Sequence, residues 1–129
     1  MLNNSIIYHA YLPSFVKKLS DIKNHIPHLK KLNVDYLWIN PIYISGGKDC
    51  GYDIVDYYNI DPKYGSLEDL KDVINILSQN GIKVLMDLVI NHTSYKHEWF
   101  QKSLQGIQPY KDYYIWKEKE ENTWTNSWK

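Results

Sequence analysis

Apolar residues in this chain gather in three short runs, and the two stretches between them carry helical spacing. Residues 5–10 (Ser-Ile-Ile-Tyr-His-Ala) form the first run, and residues 34–40 (Val-Asp-Tyr-Leu-Trp-Ile-Asn) the second, stopped by Pro41. The third, residues 82–90, is apolar nearly throughout and broken only by Lys83 and Asp87. The first two runs predict strands, and the third a parallel strand covered on both faces. Between the first and second, Ile26, Leu29 and Leu32 recur at helical spacing, with Lys30 and Lys31 outward. Pro27 suits the first turn of that helix, and Asn33 the left-handed position that ends it. Between the second and third, Leu67, Leu70, Ile74 and Leu77 make an apolar stripe. Ser66 caps this helix, Glu68 and Asp69 lie in its positive first turn, and Gly81 ends it. Strand, helix, strand, helix, strand is the order of two βαβ units in an α/β fold.

Residues 41–65 read as a long loop at the outlet of the second strand, with Gly46, Gly47 and Gly51. Long outlet loops usually serve function. Taken alone, Gly51-Tyr52-Asp53-Ile54-Val55-Asp56-Tyr57 is a turn with two exposed acids and packed tyrosines. The third run empties into Asn91, His92, Thr93 and Ser94. Carboxyl ends of parallel strands are where ligands bind in α/β folds. Asp87 is thus a carboxylate near a strand outlet, and His92 lies just past it. Trp99 and Phe100 are expected to pack a short helix over residues 98–104, whereas residues 109–129 show no clear period and are expected to be partly disordered. His25 and His28 flank a helix start without a visible third ligand, which favours solvated residues over a metal pair.

Composition narrows the classes. At 129 residues the chain is at most one ordinary domain, and 43% hydrophobic with 23% charged residues is globular. A formal net charge of +0 gives no reason to expect nucleic acid or an anionic membrane as partner. All 15 basic residues are Lys, so bidentate arginine clamps are absent. Cys50 is the only cysteine, which rules out an internal disulfide. Residues 1–10 lack the pattern of a signal peptide, and no run approaches the ~20 apolar residues of a membrane span. A cytoplasmic location is the default expectation.

Asp87-Leu88-Val89-Ile90-Asn91-His92-Thr93-Ser94 closely resembles the first signature region of the α-amylase family of glycoside hydrolases. Tyr8, Tyr11, Ser14 and Phe15 resemble that family's first-strand pattern, and the segment from Gly51 through Asp61-Pro62-Lys63-Tyr64-Gly65 resembles the wall of the glucose subsite in its α-glucosidases. His97 with Trp99 and Phe100 resembles the exo-acting glucosidases of the group that contains oligo-1,6-glucosidase and trehalose-6-phosphate hydrolase. The resemblance implies an α/β fold: residues 1–105 as the first three βα units of a (β/α)8 barrel, and residues 106–129 as the start of the domain inserted after the third strand. Asp112-Tyr113-Tyr114-Ile115-Trp116 carries the latter likeness.

By the same resemblance Tyr52 stacks on the sugar ring, Asp53 bonds its hydroxyls, and His92 donates to the glucose 6-hydroxyl. Asp87 supports groups beneath the sugar, and Asn91 pins the inserted domain. The family's calcium loop is replaced by a short segment, residues 16–21, with one acid, so no cofactor is expected and calcium is not favoured. A complete barrel needs about 250 residues. The family's nucleophile, its acid/base and the arginine beside the nucleophile lie on later strands and have no counterpart here. The implied chemistry is retaining hydrolysis of an α-glucosidic bond, with two carboxyl groups about 5–5.5 Å apart. The chain alone is expected to be inactive and to self-associate. A non-catalytic sugar- or partner-binding module, and a glucosyl transferase or phosphorylase of the same superfamily, are the competing readings.

Overall fold

The computed structural model describes residues 4–116. It divides into two compact units, residues 1–97 and 98–129.

In the first unit, three parallel strands, β1 (Ile7–Ala10), β2 (Tyr36–Ile39) and β5 (Lys83–Met86), lie in the order β1-β2-β5. Ile7, Tyr36 and Lys83 align, and the ladder continues to Ala10, Ile39 and Met86. Helix α1 (Leu12–Phe15) follows β1, a 3-10 helix spans Leu19–His25, and α2 (Ile26–Lys31) leads towards β2. Pro27 sits in the first turn of α2, and Asn33 adopts φ 53° beyond it, as the residue types require. Asp21, the single acid of the shortened segment, accepts a hydrogen bond from the Lys18 amide at 3.0 Å. That carboxylate serves a helix start.

Helix α3 (Leu67–Gln79) opens on a capping box: the Asp69 amide donates to Ser66 Oγ, and the Ser66 amide donates to the Asp69 carboxylate at 2.7 Å. The Ser66 hydroxyl, which also donates to that carboxylate at 2.7 Å, and then the Ser66 amide hold the Asp69 carboxyl below its ordinary range. The buried stripe is Leu70, Val73 and Leu77; Leu67 and Ile74 face solvent, so the expected stripe is rotated by part of a turn. In α2 likewise Ile26 and Leu29 are buried and Leu32 is exposed.

The helices cover one sheet face. Leu37, Ile39 and Ala10 are buried there with Leu12, Leu19, Ile22, Leu29, Val73 and Leu77, and Tyr8, Val84 and Met86 pack against them. Alternation then puts His9, Trp38 and Leu85, which align across the sheet, on the opposite face. His9 and Trp38 rings lie 4.3 Å apart there.

Two expectations are corrected. Residues 41–65 are not simply a loop: β3 (Tyr43–Ser45) and β4 (Ile54–Ile60) pair antiparallel, with an irregular register. Ile54 and Ile60 are buried on one side, an alternation that the glycines and tyrosines obscured. The third apolar run does not stay a strand to residue 90 but ends at Met86. Beyond it Leu88 and Ile90 are 73% and 83% exposed, because β2, its pairing partner, has also ended.

In the second unit, α4 (Glu98–Leu104) occupies the expected span, and a 3-10 turn covers Tyr110–Tyr113. Trp99 meets Tyr113 edge-on at 5.7 Å, Phe100 meets Tyr114 at 5.2 Å, and Trp116 donates to Ser103 Oγ at 3.0 Å. Part of the tail expected to lack order is therefore packed; residues 117–129 lie outside the described residues.

Candidate active site

The carboxyl end of the parallel sheet and the β3–β4 hairpin share one set of polar residues. Asp87 is the first residue after β5. Alternation from Leu85 puts it on the open face, two positions beyond the level of Trp38. Trp38 Nε1 donates to Asp87 Oδ1 at 2.9 Å, and the Tyr52 hydroxyl donates to Asp87 Oδ2 at 2.6 Å. Both carboxylate oxygens are thus held by rigid aromatic donors from different elements. The carboxylate pushes the Tyr52 phenol up to about 12, chiefly through this hydrogen bond and then through burial. Tyr52 is therefore a protonated donor at neutral pH.

The turn that presents Tyr52 is built by Gly46, Gly51 and Asp53. The Gly46 amide donates to Asp53 O at 2.9 Å, and the Asp53 carboxylate accepts from the amides of Lys48 and Asp49, each at 3.2 Å. Gly51 has φ 102°, and a β-carbon there would lie 2.7 Å from Pro41 O. Only glycine lets the turn lie this close to the end of β2. Asn40, buried, accepts from the Leu12 amide at 2.7 Å and donates to Pro41 O at 3.3 Å. It ties the outlets of β1 and β2 together.

The segment after Asp87 is pinned to the hairpin. The Tyr57 hydroxyl shares its proton between Val89 O at 2.8 Å and His92 O at 3.0 Å, and the Ser94 amide donates to Ile54 O at 2.8 Å. His97 is buried, with its ring 5.7 Å from that of Tyr57. The side chains of Asn91 and His92 are exposed and, among the described residues, make no hydrogen bond within the chain. His92 is thus a free imidazole on a backbone held at its carbonyl. No group of three or more His, Cys, Asp or Glu side chains suited to a metal ion occurs among the described residues.

The geometry joins Tyr52 directly to Asp87, holds the main chain of His92 through Tyr57, and turns the Asp53 carboxylate onto its own loop. Trp38, Tyr57 and Asn40 were not among the candidate site residues. Alternation would have placed Asp87 with Trp38; the roles of Tyr57 and Asn40 depend on long-range packing with no local signature.

Residues 14–129 match the family described as Alpha amylase, catalytic domain. The chain is 44% identical over 126 residues to trehalose-6-phosphate hydrolase of Bacillus subtilis, a match covering 92% of this chain and 22% of that protein. It is 40% identical over 120 residues to 4-alpha-glucanotransferase of Thermotoga maritima, covering 88% of this chain and 27% of the relative. The crystal structure of Bacillus licheniformis trehalose-6-phosphate hydrolase superposes with a TM-score of 0.82 at 37% identity, over 90% of this chain and 22% of that one. The chain therefore spans about a quarter or less of the length of these relatives.

Proposed function

Since the chain belongs to the α-amylase family, with three parallel strands of its (β/α)8 barrel, we propose that it forms part of the glucose-binding subsite of an α-glucosidase-type glycoside hydrolase. The observation that carries this reading is the Trp38–Asp87–Tyr52 arrangement at the carboxyl end of the sheet. It fixes a negative charge under an aromatic wall, which suits a polar ring with apolar faces. In this reading the Tyr52 ring stacks on the sugar, and Asp53 and His92 bond its hydroxyls. A carboxylate-to-hydroxyl bond is charge-assisted and correspondingly strong. Asp87 supports the site from beneath. Asn91 pins the inserted domain, of which residues 106–129 are the start.

The substrate in this reading is an α-glucoside: a short oligosaccharide, or a disaccharide phosphate such as the name of the Bacillus subtilis relative contains. The parent enzyme cleaves it with retention through a covalent glucosyl intermediate. This chain supplies binding and support, and neither the nucleophile nor the acid/base. Alanine at Asp53 or His92 in an active enzyme carrying these segments tests the assignment. The specificity constant on short α-glucosides should fall in both; retention of the parental value in both would refute it.

A second reading is favoured by the Thermotoga maritima relative, named as a glucanotransferase. Transfer and hydrolysis share the glucose subsite and differ in the acceptor. Product analysis of the active enzyme with and without added acceptor sugar separates them.

A further inference from the structure

A cavity of about 510 Å³ opens beside α1 and the hairpin loop, lined among others by Tyr11, Lys17, Lys48, Cys50, Lys63 and Tyr64. In a chain whose acids and bases balance, its lining holds three lysines and no Asp or Glu. Lys63 is neutralised by Asp61, at 2.9 Å. Lys17 and Lys48 are paired with no carboxylate among the described residues. Two cations around one concavity thus lack a carboxylate partner, the Lys48 ammonium lying 5.1 Å from the centre of the Tyr95 ring.

The backbone adds donors. Gly47, Cys50 and Gly51 line the cavity or its loop at φ 79°, 50° and 102°. Their amides donate to no acceptor among the described residues. Of these, Cys50 and Gly51 are consecutive, and neighbouring free amides in a turn form an electropositive backbone site for anions. This turn is already rigid, because Asp53 holds the amides of Lys48 and Asp49, and Asn40 Nδ2 reaches Cys50 O at 3.5 Å. Its donors are therefore positioned before any ligand arrives. Hydrogen bonding with Cys50 raises the Tyr11 phenol above its ordinary value, so it too stays protonated.

We propose that this cavity binds a phosphoryl group, held by Lys17, Lys48 and the amides of Gly47, Cys50 and Gly51. A compact dianion with several acceptor oxygens matches two ammonium groups and three N–H donors better than a neutral sugar does. The cavity shares none of its residues with the proposed glucose wall of Tyr52, Asp53 and His92. Either reading can fail without the other.

The test is a phosphorus-NMR titration of the whole chain with inorganic phosphate at low ionic strength. A second titration uses glucose 6-phosphate, and glucose serves as the neutral control. Saturable binding in the range of about 1–10 mM is expected, weakening as salt screens the lysines. Lys17→Gln and Lys48→Gln keep the aliphatic stems, and each should weaken binding about fivefold to tenfold. Lys71→Gln, on the outer face of α3, should leave it unchanged. Tighter binding of glucose 6-phosphate than of inorganic phosphate assigns the site to a sugar phosphate, and equal binding assigns it to free phosphate. Absence of saturable binding by both ligands would overturn the proposal. So would binding that survives the Lys17→Gln/Lys48→Gln double variant with its circular dichroism unchanged.

Discussion

The Tyr52 hydroxyl and the Asp87 carboxylate, 35 residues apart, meet at 2.6 Å and so connect the hairpin after β2 to the end of β5. The bond has a pH signature. Tyr52 titrates at about 12 in the folded chain against 10.0 for the free side chain. A raised folded value means that the group's stabilisation is complete below about 10 and is lost as pH climbs towards about 12. Asp87→Asn removes the negative charge and should return Tyr52 towards 10.0. Carbon-13 NMR of tyrosine ring carbons resolves this one phenol from the other eleven. Unchanged titration in Asp87→Asn would contradict the assigned cause.

The proposed sugar contacts predict a loss of transition-state stabilisation. Asp53→Ala and His92→Ala, placed in an active enzyme with these segments, should each lower kcat/KM by an amount equivalent to about 2–4 kcal/mol, the scale for one positioned polar group. The two should differ in stability. His92 is exposed and its ring makes no hydrogen bond among the described residues, whereas the Asp53 carboxylate holds two amides of its turn. A thermal melt should therefore show a decrease for Asp53→Ala and almost none for His92→Ala.

Gly46 should not tolerate a side chain. A β-carbon there would overlap the Asp53 carboxylate and lie 2.7 Å from Ser94 Oγ. Ser94 is buried and its amide is bonded to Ile54, so it has little room to retreat. Gly46→Ala is expected to cost about 1–3 kcal/mol as an overpacking change. Urea denaturation of the two proteins measures it, and equal midpoints would refute the close approach.

The chain by itself should be inactive and associating. Among the described residues both outer strands of the order β1-β2-β5 pair on one side only, and the open sheet face carries Ile7, His9, Trp38 and Leu85. Unpaired edges and uncovered apolar faces favour association, and a net charge of +0 does not oppose it. Light scattering should report oligomers, and a nitrophenyl α-glucoside should remain uncleaved. A monomer with a single cooperative urea transition of several kcal/mol would contradict the first expectation. Turnover by the pure chain would contradict the second.

Much of this was legible in the sequence. Three apolar runs, Pro27 at a helix start, Asn33 at a helix end and the Ser66–Asp69 box are local choices, made by periodicity, fixed φ and capping chemistry. The α-amylase likeness of residues 87–94 was equally local. Tertiary structure decided what depends on pairing. Register with Leu37 and Val84 turns Tyr8 to the helices, where it meets Phe15 and His28. The apolar residues 88 and 90 read as strand, but a strand persists only while a neighbour accepts its hydrogen bonds. The β3–β4 hairpin escaped because its register is irregular and its spacing is interrupted by turn residues. Asp87 acquired its two aromatic donors only when the sheet brought Trp38 beside it and the hairpin folded Tyr52 across it. Contacts 49 and 35 residues apart leave no mark on local pattern.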